Sequence, residues 1–316
     1  MGFEGLLGNE RIKENLRLSF QRGRVPHFFL ICGPRGSGRH TLARLLAAAM
    51  MCTGDQQPCG KCEGCRKVIN GIHPDFITVD DPERKTVPVD LIRQARADLF
   101  VRPNEGKRKI YLLPRGQDMQ EPSQNALLKI LEEPPAYGAF ILLTDNGEKL
   151  LPTIRSRCTQ LQLLPLDELT LSRELSARLP QASRDSITGA ISRSGGYLGQ
   201  AIELLEGQQE LPQTVAFAQA FVQRNALELT TILVPMEKWK RDQLLEVLEQ
   251  WLCLLEESLA CRAGGHGISS GARSISTSRG AAEILSAIRH LQKCIEYAQG
   301  NVSPAAICGY LQWALR

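Results

Sequence analysis

The sequence has few aromatic residues, little net charge and no long apolar run. Phe, Trp and Tyr make up 5% of the 316 residues, and the basic clusters at 66–67, 84–85 and 107–109 contain no aromatic residue. Such clusters are typical of solvated surface rather than of a nucleic-acid track. The formal net charge of +4 is compatible with nucleic acid nearby but is too weak to argue for it alone.

No apolar segment approaches the ~18 residues of a membrane-spanning helix, and the sequence opens on a polar, charged segment. We therefore expect neither a signal peptide nor a membrane span, and a cytoplasmic location. The ten cysteines then indicate reduced thiols or metal ligands rather than disulfides. With 316 residues, 43% of them hydrophobic and 23% charged, the chain can form two or three domains of an ordinary globular protein.

A glycine-rich turn follows the first strand pattern, in the segment FFLICGPRGSGRHT. The apolar run 28–32 has the length of a buried strand, and apolar residues then recur at helical spacing from Leu42 to Ala49. At a strand-to-helix turn, successive backbone N–H groups and the helix N-terminus can face one anion. The sequence therefore predicts a phosphate-binding cradle formed by Gly33, Gly36, Gly38 and Arg39.

Two side chains that a nucleotide-hydrolysing cradle needs are missing from this segment. The pattern G-x-x-x-x-G-K-[ST] places the Lys on the terminal phosphates and the hydroxyl on magnesium. In this chain Arg39 replaces the Lys, His40 replaces the Ser or Thr, and Thr41 comes one residue late. The cradle is predicted, but its two chemical side chains are not there.

The strand that should carry the magnesium-binding carboxylate also lacks it. A working ATPase needs an acidic residue after a second apolar strand. The candidate strand at 110–113 runs directly into Pro114 and Arg115, and Asp118 lies several residues further on. From these residues two interpretations stay open: a glycine turn in an unrelated α/β protein, or a nucleotide-binding fold that has lost catalysis.

Four cysteines follow the spacing C-x6-C-x2-C-x2-C. Four thiolates on short loops form a closed tetrahedral site, which is the structural rather than the catalytic arrangement for zinc. We predict a structural zinc ion bound by Cys52, Cys59, Cys62 and Cys65. An iron–sulfur cluster is the rival interpretation, although no further cysteine follows three residues on with a proline after it. Four unrelated reduced cysteines are the least specific alternative.

Strand and helix patterns alternate through the first half of the chain. After 28–32, strands are predicted at 76–79, 110–113, 139–144 and 159–163, and helices at 9–22, 89–100 and 123–133. This alternation favours a parallel sheet with helices on both faces. We predict an α/β domain over residues 1–165, with a loop-like, zinc-binding insertion at about 52–71.

After Pro165 the patterns become helical. We predict a small helical unit over 166–208 and a larger all-helical domain over 209–316, with a strong helical pattern at 237–262. The Gly/Ser-rich stretch at 263–280 predicts a mobile loop between two helices.

Five segments, in this order, resemble one protein family. They are GRVPHFFLICGPRGSGRHTLARLLA, the cysteine cluster followed by HPDF, IYLLPRGQDMQEPSQNALLKILEEPP, FILLTDNGEKLLPTIRSRC and GGYLGQA. The chain is similar to the clamp-loader branch of the AAA+ ATPases, and in particular to the delta-prime subunits of bacterial DNA polymerase III. The resemblance covers residues 5–205, with weaker support at 301–304. The combination of NALLKILEEPP with a downstream SRC is its most specific part.

The resemblance implies an AAA+ module, a small helical lid and an all-α C-terminal collar. Subunits of this family form a ring of five that opens the sliding clamp and places it on primed DNA. Active members have Asp-Glu where this chain has Pro114 and Arg115, and a lid sensor Arg where it has Gly199. Thr144 matches the sensor-1 position. The resemblance therefore implies a non-hydrolysing subunit, and it leaves open whether ATP occupies the glycine-rich loop.

One catalytic element of the family is retained. Ser156, Arg157 and Cys158 match the SRC motif, whose Arg reaches across a subunit interface to a neighbour's ATP. A guanidinium suits this role because it is permanently charged and presents a rigid fork to phosphate oxygens. A solvated Arg, or one in an internal ion pair, is the alternative interpretation.

Three functions stay open from the sequence. The first is a non-enzymatic subunit of the DNA polymerase III clamp loader that donates Arg157 in trans. The second is a catalytically active clamp-loader ATPase, similar to the tau and gamma subunits, in which Arg39 does the work of the Lys. The third is a zinc-dependent DNA-binding module.

Overall fold

A computed structural model describes residues 2–132, 134–206, 211–265, 269–300 and 302–315. The chain divides into two compact units. The first comprises Met1–Asp167 with Tyr197–Gln200, and the second comprises Glu168–Gly196 with Ala201–Arg316. The finer division of the C-terminal half into a lid and a collar stays a prediction.

The first unit is built on a sheet of five strands. They are β1 Phe28–Cys32, β2 Phe76–Thr78, β3 Lys109–Leu113, β4 Gly138–Thr144 and β5 Thr159–Gln162. The strands follow the order β2-β3-β4-β1-β5, and every neighbouring pair is parallel. All residues of β1, β3 and β4 are buried. Burial on both faces explains why the sequence shows these strands as nearly continuous apolar runs rather than as alternating patterns.

Helices cover both faces of this sheet. They are α1 Glu10–Gln21, α2 Arg39–Met51, α3 Glu63–Ile69, α4 Val89–Leu99, α5 Glu121–Glu132 and α6 Pro152–Arg155. Phe29 and Ile31 of β1 belong to a core that includes buried residues of α1, α2 and α3. Phe28 and Leu30 belong to a second core that includes buried residues of α4, α5 and α6. The predicted α/β fold, a parallel sheet with helices on both faces, is confirmed.

The described residues of the C-terminal half form helices and no strands, as the sequence predicts. Its helices are α7 Glu168–Arg178, α8 Arg184–Arg193, α9 Leu198–Glu206, α10 Pro212–Gln223, α11 Ala226–Met236, α12 Arg241–Arg262, α13 Ser270–Ser278, α14 Ala281–Gln299 and α15 Pro304–Ala314. The core of the second unit contains Trp251, whose ring stacks on that of Phe217 with 4.1 Å between centroids. None of the helices in the described ranges combines the length and the apolar character that a membrane span requires.

The prediction of a loop over the whole Gly/Ser-rich stretch is wrong. Helix α13 lies inside this stretch, of which residues 266–268 lie outside the described part of the chain. The Ser269 side chain caps the helix by accepting a hydrogen bond from the N–H of Ala272. Ala272 and Ile275 are fully buried. Capping and burial therefore outweigh the low helix propensity of serine and glycine.

Candidate metal centre and glycine-rich loop

The four cysteines of the predicted metal site converge where α2 ends and α3 begins. Cys52 follows the last residue of α2, and Cys62 and Cys65 lie in the first turn of α3. The sulfur atoms of these three residues and of Cys59 all lie within 4.8 Å of one another. A loop throughout this insertion is wrong, because α3 forms within it. The Cys62 sulfur caps this helix by accepting a hydrogen bond from the Cys65 N–H, with 3.4 Å between N and S.

Backbone N–H groups surround the sulfur atoms. The Cys52 sulfur accepts from the N–H groups of Gly54 and Cys59, at 3.4 and 3.3 Å. The Cys59 sulfur accepts from those of Lys61 and Cys62, at 3.4 and 3.3 Å. Because a hydrogen bond to the charged form of a group favours that form, these contacts favour thiolates, which are the metal-binding state of cysteine.

The pKa values of the four thiols follow from these contacts and from burial. Backbone N–H groups lower the pKa of Cys59. Burial raises the pKa of Cys62, but backbone N–H groups and neighbouring thiols bring it down to about 6. Burial raises the pKa values of Cys52 and Cys65. A metal ion deprotonates the thiols that coordinate it, so these two can still serve as ligands.

The positions of the sulfur atoms fit a single metal ion. Zinc–sulfur bonds of about 2.3 Å in a tetrahedron put the sulfur atoms about 3.8 Å apart. The sulfur atoms of Cys52 and Cys62 are 4.0 Å apart. In a four-iron cluster each cysteine binds a different iron, so the cysteine sulfur atoms lie further apart than those sharing one ion. The four cysteines are close enough to hold one metal ion, and the all-sulfur set is consistent with zinc.

The glycine-rich loop joins β1 to α2 at the carboxyl edge of the sheet. This edge is where open α/β sheets bind ligands. Gly36 and Gly38 have φ values of +78° and +94°, which residues with a side chain rarely adopt. At Gly33 an added Cβ would lie 2.6 Å from the Ser37 hydroxyl. The three glycines are therefore required for the shape of this loop.

Two polar atoms of the loop lack a hydrogen-bond partner among the described residues, although both are buried. They are the Ser37 Oγ and the Arg39 Nη1. Burial lowers the pKa of Arg39, and the nearby Asp145 and Cys32 partly offset this effect. Buried polar groups are nearly always paired, so each unpaired one calls for an explanation. An anion in the loop would pair with both atoms, so the loop fits a phosphate group.

The magnesium half of a nucleotide site does not fit. At the carboxyl end of β3, where a metal-binding carboxylate would be needed, the guanidinium of Arg115 is bound by its own chain. It lies 2.7 Å from the Asp80 carboxylate and donates to the carbonyl oxygens of Asp81 and Arg84 at 2.7 and 2.8 Å. The Asp118 carboxylate lies 3.8 Å from the same guanidinium. A cation therefore occupies the place where magnesium would need an anion.

Gly199 packs directly onto the glycine-rich loop. Its N–H donates to the Gly36 carbonyl oxygen at 2.9 Å. An added Cβ at Gly199 would lie 2.6 Å from the Gly36 Cα, and one at Gly36 would lie 2.4 Å from the backbone N of Gln200. The position that the resemblance aligns with a sensor Arg has no room for a side chain in this arrangement. No local sequence signal predicts this contact, because 163 positions separate Gly36 from Gly199.

Thr144, the residue at the sensor-1 position, is fully buried at the end of β4. Its hydroxyl donates to the Asn146 carbonyl oxygen at 2.9 Å and accepts from the Asn146 N–H at 3.2 Å. Both bonds close the turn after β4, so this hydroxyl serves the local backbone.

The SRC segment lies between α6 and β5. Arg157 is exposed, and its Nη1 donates to the Thr153 carbonyl oxygen at 3.1 Å. Its Nη2 lies 3.6 Å from the Glu132 carboxylate at the end of α5. Ser156 donates to the same Thr153 oxygen at 3.2 Å. Burial raises the pKa of Cys158 to about 12, so this thiol stays protonated.

Arg157 lies near the amino-terminal ends of the parallel strands β1 and β5, and the glycine-rich loop lies at the carboxyl end of β1. Arg157 precedes β5, whose first residue, Thr159, pairs with Phe29 near the start of β1. The loop follows the other end of β1. Because β1 and β5 run in the same direction, the length of β1 separates the two sites, which is ~16 Å at about 3.3 Å per residue. Arg157 is therefore out of reach of its own chain's loop.

A family described as DNA polymerase III, delta subunit, matches residues 8–167, which is just over half of the chain. The delta' subunit of Escherichia coli is 34% identical over 217 residues, which cover 65% of this chain and 64% of that subunit. The tau subunit of the same organism is 32% identical over 256 residues, or 73% of this chain and 40% of that subunit. The chain thus spans less than two thirds of the length of either relative.

Solved structures of related name are more distant in sequence. A DNA polymerase III gamma subunit-related protein from Thermotoga maritima is 18% identical, with a TM-score of 0.44, over 96% of this chain and 99% of that chain. The DNA clamp loader delta protein of Bacillus subtilis is 11% identical, with a TM-score of 0.37, over 96% of this chain and 99% of that chain.

The metal site predicts the metal content of the purified protein. Elemental analysis should find about one zinc per chain, because one closed tetrahedral site holds one ion. Cys62→Ser should abolish zinc binding and lower the melting temperature, since metal-binding free energy is part of the folding free energy. Cys261→Ser, outside the cluster, should keep the zinc. Iron with visible absorption, or no metal under reducing conditions, would show that the zinc assignment is wrong.

Proposed function

Because the chain belongs to the DNA polymerase III delta subunit family, we propose that it is a non-hydrolysing subunit of the DNA polymerase III clamp loader. In this role it helps to load the sliding clamp onto primed DNA during replication, as one member of a ring of five subunits. It donates Arg157 to the ATP of a neighbouring subunit. The observation that carries the proposal is that Arg157 is exposed at the sheet edge opposite its own glycine-rich loop.

The absence of hydrolysis by this subunit rests on the surroundings of its loop. Arg115 holds the end of β3 with four contacts to its own chain, so it is not free to be displaced by magnesium. The loop keeps donors for an anion, but the positions that would hold the metal carry Arg115 and His40. Binding of a phosphate group and lack of turnover are compatible in such a site.

Two features of Arg157 support a role at a neighbour's nucleotide: its charge, and the N–H donors that have no partner among the described residues. ATP bound by the neighbour supplies the phosphoryl group and the negative charge that develops on it during hydrolysis. A guanidinium placed beforehand stabilises that charge without reorganising at the moment of reaction. In family terms this is an arginine finger supplied in trans, which contributes on the order of 10³-fold or more to the rate.

We assign the four cysteines to a structural zinc ion. The site uses all four sulfur atoms as ligands, which leaves no coordination position for a substrate. Its ligands join the end of α2 to the first turn of α3, so the metal fixes the connection between these helices. Without the metal we expect this insertion to lose its order and the core on this face of the sheet to be weakened, because Cys52 and Cys65 are buried in it.

An active ATPase of the tau or gamma kind is the second candidate. Two observations favour it: the match to the tau subunit extends over 73% of this chain, and the buried Arg39 Nη1 is unpaired within the described loop. In this case Arg39 would contact the terminal phosphates in place of Lys. Nothing in the described residues explains how magnesium would then be held beside Arg115.

The two candidates differ in the ATPase activity of the purified chain. We expect no ATP turnover above background, even at saturating magnesium, because Pro114 and Arg115 directly follow β3 and the nearby Asp118 carboxylate faces the Arg115 guanidinium. Arg39→Lys should not create activity, since Arg115 still holds the metal position. The measurement is phosphate release by the isolated chain under steady-state conditions. Robust hydrolysis by the unmodified chain, if it is lost in Arg39→Ala, would favour the active ATPase instead.

Replacing the proposed finger should impair the assembled loader and not the subunit. Arg157→Ala should leave folding, zinc content and ring assembly intact, because one exposed arginine contributes little to stability. The same change should lower the ATPase rate of the reconstituted loader, stimulated by clamp and DNA, by about 10-fold or more. Arg157→Lys should rescue poorly, since an ammonium cannot reproduce the planar fork.

A matched arginine controls for surface charge. Arg178 is 51% exposed and lies 3.5 Å from Glu174, much as Arg157 is 42% exposed and lies 3.6 Å from Glu132. Arg178→Ala should therefore keep the full rate. If Arg157→Ala assembles normally and also keeps the full rate, the chain has no finger and is a purely structural member of the ring.

A further inference from the structure

Two contacts from its own chain fix the direction of the Arg157 side chain. The Thr153 carbonyl oxygen accepts from Nη1 at 3.1 Å, and the Glu132 carboxylate lies 3.6 Å from Nη2. The two contacts come from different elements, one from α6 and the other from the last residue of α5. Together they contact both ends of the guanidinium fork and favour one orientation, while the side chain remains 42% exposed.

Glu132 lies at an unfavourable position in its helix, which makes its pairing with Arg157 informative. Glu132 is the last residue of α5, where a carboxylate faces the negative end of the helix dipole and is disfavoured. Helix stability therefore gives no reason for an acidic residue at this position. Within the described part of the chain, Arg157 is the cation recorded within ion-pair distance of Glu132. The pairing with Arg157 offsets the unfavourable position of this carboxylate at the helix end.

Enough donors remain on Arg157 for a second partner. A guanidinium carries five N–H donors, and the contacts within the chain use one on each Nη. With respect to the described residues, the Nε–H and one N–H on each Nη have no further partner. A side chain that is oriented and only partly satisfied can therefore meet an anion without first releasing its own contacts.

Arg155, two residues earlier, shows a different arrangement. It is less exposed, at 26%, and its Nη1 lies 2.5 Å from the Glu148 carboxylate. Its Nε is buried without a recorded partner among the described residues. The chain thus offers two neighbouring Arg–Glu pairs, of which only the Arg157–Glu132 pair belongs to the SRC motif.

We propose that Glu132 is a positioning residue for Arg157: with the Thr153 carbonyl it holds the guanidinium in the direction that a phosphate group on a neighbouring subunit requires. This inference rests on the proposed function of Arg157. Orientation before the reaction raises the rate, because misplacement of a reacting or stabilising group by even ~1 Å can cost on the order of 10²-fold. Glu132 itself does not touch the phosphate.

The test uses the reconstituted loader with four variants of this chain: Glu132→Gln, Glu132→Asp, Arg157→Ala and the double variant of Glu132→Gln with Arg157→Ala. Glu132→Gln keeps the shape of the side chain and removes its charge. It should lower kcat for ATP hydrolysis by about 3- to 10-fold with KM for ATP unchanged, because the neighbour binds ATP through its own residues. Glu132→Asp should restore part of the rate, since it returns the charge on a shorter side chain.

Non-additivity separates positioning from a merely structural role. The double variant should be no slower than Arg157→Ala alone, because Glu132 acts only through Arg157. Glu148→Gln, which removes the partner of Arg155, is the matched control and should keep the full rate. A further fall in rate on adding Glu132→Gln to Arg157→Ala would show that Glu132 acts elsewhere, and would overturn the proposal.

The remaining outcomes distinguish this inference from the proposed function. A full rate for Arg157→Ala would refute the finger and, with it, any positioning of that finger. An impaired Arg157→Ala beside a fully active Glu132→Gln would refute the positioning role alone. A faster Glu132→Gln loader would mean that the carboxylate restrains the guanidinium from its target, which also contradicts the proposal.

Discussion

The hydrogen bonding of β1 between β4 and β5 is the constraint on which the candidate sites depend. This pairing places β1 inside the sheet, with helices on both faces, and it delivers the glycine-rich loop to the carboxyl edge. The parallel direction of β5 sends the SRC segment to the other edge. One set of strand pairings therefore separates a chain's loop from its exposed arginine.

This separation between Arg157 and the loop bears on the unusual residues around the loop, such as Arg115. Under the proposed function, a chain whose exposed arginine cannot reach its own loop can lack hydrolysis and still use that arginine at a neighbour's nucleotide. The guanidinium of Arg115 is held at the end of β3 by Asp80 and by two carbonyl oxygens, and its charge disfavours a magnesium ion there. The backbone contact between Gly36 and Gly199 likewise fills a position that an active relative would need for a long side chain. The packing of Gly199 and the charge of Arg115 thus both disfavour a magnesium-bound nucleotide in this loop.

Most of the first unit could be predicted from the sequence, because β1, β3 and β4 are buried on both faces and give continuous apolar runs. The helices α3 and α13 could not. Helix α3 has only seven residues and follows a turn-rich cysteine segment, and α13 is rich in serine, which has low helix propensity. They form because Cys62 and Ser269 cap them and because residues such as Ile275 pack in a core that assembles from distant segments. The local sequence pattern does not predict such packing.

The candidate site could likewise be predicted only in part. The four cysteines are recognisable because the metal site is built from neighbouring residues, and their sulfur atoms do converge. The pairing of Arg157 with Glu132 joins α5 to a segment 25 positions away, and Arg115 meets Asp80 across 35 positions. These contacts depend on the sheet order, so no spacing in the sequence predicts them.

The most direct test of the account is a structure of the assembled clamp loader, containing this chain, trapped with ADP, magnesium and a fluoride mimic of the transferred phosphoryl group. The account predicts that the Arg157 guanidinium lies about 3 Å from the mimic in a neighbouring subunit, while the loop of this chain holds no magnesium-bound nucleotide. An Arg157 that faces solvent at every interface, or a magnesium nucleotide bound beside Arg115, would contradict it.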